Sequence, residues 1–242
     1  MEFLILMRPL LTSISFIFLC FFFPEAVFSE IIVHDMIALR GEVTMLSAET
    51  KGTILRHGGE IVEFIVNGKS LGKSLSGGDG YAFKQFIPPK TGLYQIIVKS
   101  RNEENSGSLL SLKKGARIVF IDIEHGLFEG LFSKRPRSGS QEVLRRLSKK
   151  SPVVFLQTGI LSTNAVRTWL KNNGFPDLPL IQWDQGSLFD EINGKGLKIK
   201  AIIGGEQVIE SAGKYKPKAF SFGEVEGAEK VNDWGEIGRK LK

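Results

Sequence analysis

Cysteine is nearly absent. The 242 residues hold one, Cys20, and it lies in an apolar N-terminal stretch. A chain that sheds that stretch has none, which excludes a disulfide framework, a thiol nucleophile and cysteine-ligated zinc. Histidine is scarce too, with only His34, His57 and His125. His34 and His57 lie 23 residues apart, and a zinc site needs more ligands than these two. No Gly-x-x-x-x-Gly-Lys-[Ser/Thr] loop occurs, so a phosphate-cradling triphosphatase has no signature here. Ser111, Ser162 and Ser221 lack a Gly-x-Ser-x-Gly setting, which removes the case for a serine hydrolase. No segment interleaves aromatic and basic residues in the manner of nucleic-acid modules, so no nucleic-acid partner is expected.

What is present begins with "MEFLILMRPLLTSISFIFLCFFFPEAVFSE". One Arg precedes an apolar stretch from Leu10 to Phe23, Pro24 follows, and Val27 and Ser29 stand three and one before a possible cut. That pattern predicts a secretory signal peptide over residues 1–29. The alternative is an uncleaved anchor, although Arg8 and Pro9 interrupt the apolar run. Either way the expected location is exported, periplasmic or extracellular, with membrane association through this segment as the second reading. The formal charge is +6. Residues 30–113 carry ten basic and nine acidic side chains, whereas residues 114–242 carry twenty-one and fifteen. The basic excess of the second half fits either a solubilising surface or an anionic small molecule or lipid phosphate as partner.

Hydrophobic periodicity divides the chain at about residue 105. In "EIVEFIVNGKSLGKSL" a β-branched run meets Asn67-Gly68 and then a second run. Asn-Gly between apolar runs predicts a hairpin, because both turn residues must accept positive φ. Alternation sets Tyr81, Phe83 and Gln85 against Ala82, Lys84 and Phe86, and Leu93, Gln95 and Ile97 against Tyr94, Ile96 and Val98. Short strands between turn signals imply an antiparallel sandwich over residues 30–105. The stretch "VEFIVNGKSLGKSLSGGDGYAFKQFIPPKTGLYQIIV" resembles bacterial immunoglobulin-like modules, which implies a spacer or adhesive unit. "SRNEENSGSLLSLKKGA" is polar and Ser/Gly-rich. It predicts a linker, bounded here as residues 106–115.

From residue 116 to 242 the pattern changes. "ARIVFIDI" and "SPVVFLQTG" read as strands buried on both faces. "SGSQEVLRRLSKK" and "STNAVRTWLKNNG" read as helices, with Ser140 as a candidate N-cap and Gly174 as a stop. "LPLIQW", "LKIKAIIGG" and "PKAFSFG" supply three more strands, and "GAEKVNDWGEIGRKL" a closing helix. Alternating strands and helices imply a three-layer α/β domain with a parallel sheet. Ligands bind such sheets at the carboxyl ends of the strands, where Asp122 and Thr158 fall.

An apolar strand ending in Asp122, then a helix, then an apolar strand ending at Thr158 resembles the haloacid dehalogenase superfamily. Through "NNGFPDLPLIQW" the resemblance is nearest the lipin and phosphatidate phosphatase-like branch. It implies a Rossmannoid domain in which Asp122 attacks phosphorus, Glu124 is acid and base, Thr158 holds phosphoryl oxygens and a lysine offsets charge. Lys198 is the candidate lysine, with Lys195 beside it. Mg²⁺ would be held by Asp122, Glu124 and Glu206. The sequence departs from that pattern: Glu124 stands where the family has Asp, and Gly204-Gly205 where it has carboxylates. His125, next to the acid position, is a proton-shuttle candidate or a loop residue. "SKRPR", Ser133 to Arg137, is a basic loop at the same end of the sheet. The departures favour a non-catalytic ligand-binding or structural and adhesive protein. A Mg²⁺-dependent phosphomonoesterase is the alternative.

Overall fold

The computed structural model describes residues 30–51, 58–101, 103–130, 133–184 and 187–241. The expected leader, residues 1–29, and His57 lie outside the described residues.

The first half folds into strands β1 (Glu30–Val33), β2 (Met36–Leu39), β3 (Thr44–Lys51), β4 (Ile61–Val66), β5 (Lys69–Leu75), β6 (Tyr81–Phe86), β7 (Gly92–Ser100) and β8 (Glu103–Leu112). They form two sheets, ordered β1-β3-β6 and β2-β8-β7-β4-β5. Leu46, Ala48 and Ala82 of one sheet meet Val62, Phe64, Ile96, Val98 and Leu109 of the other in a single apolar core. This is the predicted sandwich, and the alternation Tyr94, Ile96, Val98 points inward as read. The predicted hairpin also forms: Asn67 and Gly68 have φ of 48° and 78° between the paired strands β4 and β5. Pairing is antiparallel except for β2, which lies parallel to β8.

The expected linker is not one. Residues 103–112 are β8, paired with β7 from Ser100↔Glu103 to Gly92↔Ser111. Its polar first half is mostly exposed, while Gly107 to Leu112 are buried. Local polarity concealed a strand whose second half lies between two apolar surfaces.

The second half contains β9 (Arg117–Asp122), a π-helical turn (Ile123–Leu127), the hairpin β10 (Phe128–Gly130) and β11 (Ser133–Pro136), α1 (Ser140–Ser148) and β12 (Val153–Gln157). Next come α2 (Thr163–Asn172), β13 (Leu180–Gln182), α3 (Ser187–Gly194), β14 (Lys198–Ile203) and α4 (Glu206–Ala212). The chain then runs through β15 (Lys218–Ser221), β16 (Glu229–Lys230) and α5 (Trp234–Lys240). The sheet order is β13-β12-β9-β14-β15-β16, all parallel. This is the doubly wound order, with helices on both faces. Ile118 to Ile121 of β9 are fully buried, as its unbroken apolar run requires. Val119 and Ile121 pack with Val143, Leu144, Val166, Trp234 and Ile237 on one face. Ile118 and Phe120 pack with Leu188, Phe189, Val208 and Ile209 on the other. Ser140 is not the N-cap: Gly139 holds that position, and the Ser140 hydroxyl donates to the Arg137 carbonyl at 2.6 Å.

The two halves share a core. Ile37, Leu39, Leu110 and Leu112 of the sandwich join the Phe120–Phe189 cluster. Beside this seam Asp35 is buried, accepting from Ser108 N (2.6 Å), Leu180 N (2.7 Å) and Arg167 (2.7 Å). Among the described residues no helix is long and apolar enough to cross a membrane.

Candidate functional site

The strand order reverses at β9. From there the chain winds outward to β12 and β13, then returns to lay β14 on the other side. The carboxyl ends of β9 and β14 therefore splay around a crevice, the position where doubly wound sheets bind ligands. A cleft of 390 Å³ opens there, lined by Asp122, Glu124, His125, Thr158, Gly205 and Glu206 among others.

Asp122 ends β9 and caps the π-helical turn. Its Oδ1 accepts from Glu124 N (3.1 Å), His125 N (3.3 Å) and the Thr158 hydroxyl (2.8 Å). Its Oδ2 accepts from Gly205 N at 3.1 Å and meets His125 Nδ1 at 2.7 Å. The side chain is 0% exposed. Glu124 Oε2 accepts from Thr158 N at 3.0 Å and lies 2.9 Å from the same hydroxyl, whose one hydrogen is shared between the two carboxylates. Glu124 Oε1 is buried without a hydrogen-bond partner among the described residues. His125 is 45% exposed. Its hydrogen bond to Asp122 holds the imidazole above its ordinary value of 6.5, against an opposing push from partial burial.

The two glycines after β14 create room for this pair. A Cβ on Gly204 would lie 2.8 Å from Asp122 Cβ, and one on Gly205 2.8 Å from His125 Cγ. The positions where the sequence lacks carboxylates are the wall against which the Asp122–His125 pair packs.

Asp122, Glu124 and Thr158 thus meet as expected from their strand ends, and Glu206, exposed at the first turn of α4, lines the same cleft. The lysine candidates do not join them. Lys198 starts β14 and pairs in register with Arg117 at the opposite end of the sheet. The strand pattern gave its membership of β14 but not its distance from the crevice. Lys195 donates to the Ile37 carbonyl at 2.9 Å and pairs with Glu191. Within the basic loop, the Arg137 guanidinium sits 4.1 Å above the Phe222 ring, and burial lowers its pKa. His125 is the residue that strand-end reasoning undervalued. The signal was its spacing: three residues past a strand-ending Asp, a tight turn folds the imidazole back onto the carboxylate.

The expected Mg²⁺ does not fit this donor set. Both Asp122 oxygens face hydrogen donors, and Glu124 Oε2 faces two more, whereas magnesium demands oxygen lone pairs in near-octahedral array. Among the described residues no three His, Cys, Asp or Glu side chains group to hold a metal. Asp122, Glu124 and Glu206 set three carboxylates against one imidazole.

No family model matches the chain, and no curated protein matches it. Among solved structures it is similar to a CARDB domain from Pyrococcus furiosus, at 14% identity and TM-score 0.27, covering 35% of this chain and 92% of that one. It is also similar to domains 4 and 5 of the S-layer protein SbsC, at 13% identity and TM-score 0.26, covering 36% and 53%. Fibronectin(III)-like modules of Clostridium thermocellum CbhA match at 13% identity and TM-score 0.28, covering 36% and 48%. The chain spans about half the length of the last two. None of these is a haloacid dehalogenase. The resemblance to that superfamily and its lipin-like branch, read from the strand-ending Asp122 and Thr158, is therefore corrected.

Proposed function

We propose that this is an exported, non-catalytic protein with a structural or adhesive role, whose α/β half binds a small ligand without transforming it. The observation that carries the reading is the state of Asp122. A nucleophile must present a free lone pair to substrate, whereas this carboxylate is fully buried and surrounded by donors from the π-helical turn, from Thr158 and from Gly205. It ties together the loops after three strands. The half-exposed imidazole, Glu124 and Glu206 line the cleft, a set that matches ligands rich in hydrogen donors, such as amines and polyols. The firm seam between the halves supports the structural side of the reading, since a sandwich fused to its neighbour holds the crevice at a fixed orientation. Export rests on the leader sequence.

The test pairs activity with stability. The full chain and Asp122→Asn are assayed on a panel of phosphomonoesters with Mg²⁺, and both are unfolded thermally. The expected result is no turnover by either protein. The variant should also lose about 3 kcal/mol, because an amide cannot accept all of these bonds and leaves buried donors unmet. Turnover by the parent that disappears in Asp122→Asn would overturn the reading.

A further inference from the structure

The basic second half suggests an anionic partner, and a part of the fold away from the acidic crevice offers it a home. Helices α1 and α5 lie side by side on the outer face of the sheet, and a cavity of 230 Å³ opens between them. Its floor is apolar: Val143, Leu147 and Leu241, all at least nine-tenths buried. Its rim is cationic, formed by Arg146, Lys150 and Arg239, and no Asp or Glu is among the described residues that line it, although Asp233 lies beside Gly235 at its edge.

Gly235 and Gly238 of α5, three residues apart on one face, line the cavity. Glycine inside a helix costs about 1 kcal/mol against alanine, so two in a seven-residue helix need a reason. Gly238 has a packing reason, since a Cβ there would lie 3.2 Å from Val143 Cγ1. At Gly235 the nearest neighbours are polar: a Cβ there would meet Asp233 Oδ1 at 3.0 Å and Arg239 Nη1 at 3.5 Å. At Gly238 the same construction finds Arg146 Nη2 at 3.9 Å. Two guanidinium groups therefore lean over the bare glycine face from opposite helices. Among the described residues Arg146 pairs weakly with Glu142 at 3.6 Å, and both side chains of that pair are largely exposed. Asp233 is engaged as the α5 N-cap, accepting from Glu236 N at 2.8 Å.

We propose that this groove binds a single-chain carboxylate. Arg146 and Arg239 take the carboxylate head, for which the planar guanidinium fork is suited. Val143, Leu147 and Leu241 cover the first methylenes of the tail. A closed apolar floor beneath a cationic mouth selects an amphipathic anion over a bare one, and the charge of the rim rejects a neutral alcohol of equal length.

Octanoate is the probe, with acetate and 1-octanol as comparators, titrated into the isotopically labelled full chain while backbone amide shifts are followed. Saturable shifts are expected at Gly235, Gly238 and the last turn of α1. Acetate and octanol should bind at least 10-fold more weakly. The double variant R146Q/R239Q, altered only at exposed side chains, should keep the parent spectrum and bind octanoate at least 10-fold more weakly. Absence of saturable shifts with octanoate would overturn the proposal, as would equal binding by the double variant. Shifts produced only by vesicles of anionic phospholipid would overturn it in favour of a membrane-facing basic patch.

Discussion

His125 and Asp122 couple the charge of the crevice to pH near neutrality. The folded protein raises the imidazole above 6.5, chiefly through the hydrogen bond to Asp122, with further support from the charges of Asp122 and Glu124 and opposition from burial and Arg137. The folded state therefore binds the proton more tightly than the unfolded chain does. The resulting stability is fully present below about pH 6.5 and is lost as pH rises through the folded value. Solvent screens a side chain this exposed, so the effect is modest. In urea titrations between pH 5.5 and 8.5, the stability advantage of the parent over His125→Gln should shrink with rising pH; a difference constant across that range would refute the pairing. At this scale the strand-end rule places Asp122, Glu124 and Thr158 at one crevice, because each lies at or just beyond the point where a buried run stops. Lys198 misled for the reason that a residue's place in a strand does not reveal which end of the sheet it occupies until the neighbouring register is known.

The glycines after β14 show how an element's boundary is set by its neighbours. Neither Gly204 nor Gly205 has positive φ, so conformational freedom does not explain them; space does. Gly204→Ala should cost about 1–3 kcal/mol, the usual penalty for forcing a methyl into a packed site, since its Cβ would lie 2.8 Å from that of buried Asp122. Gly213→Ala is the matched control. Its φ of −53° is helical, nothing lies within 4 Å of its Cβ, and the change should be neutral or stabilising by about 0.4–1 kcal/mol. Chemical denaturation of both variants checks the contrast, and equal effects would discard the space argument. Elements with long apolar runs, such as β9 and β12, were readable because full burial leaves no polar face to confuse the pattern. The short helices α3 and α4 were not, since seven or eight residues give barely two turns of periodicity. The closing helix came out shorter than its pattern, starting at Trp234, because Asp233 caps it there and Trp234 Nε1 donates to the Gly126 carbonyl at 3.0 Å.

For the whole molecule, the change from a two-residue to a helical period separated sandwich from α/β layer in the sequence, yet nothing in it disclosed how firmly the two are joined. The seam draws on Asp35, Ser108, Arg167 and Leu180, four positions scattered over the chain, and only folding places them together. Asp35 is 0% exposed at its side chain, and Arg167 26%. Removing the carboxylate leaves one guanidinium and two backbone N–H groups, from β8 and β13, without their acceptor. Losing one partner of a buried ion pair costs about 3–5 kcal/mol, which for a chain of this length corresponds to roughly 10 °C in Tm. The apolar contact of Ile37, Leu39, Leu110 and Leu112 remains, so the halves stay folded but lose their polar registration. Calorimetry of the parent should show one cooperative transition, because the shared core makes each half depend on the other. Asp35→Ala should lower its midpoint and broaden it toward two steps. Arg167→Ala, which spares both N–H bonds to Asp35, should shift it less. A single sharp transition at the parent's midpoint in Asp35→Ala would mean that the apolar seam alone fixes the crevice to the sandwich.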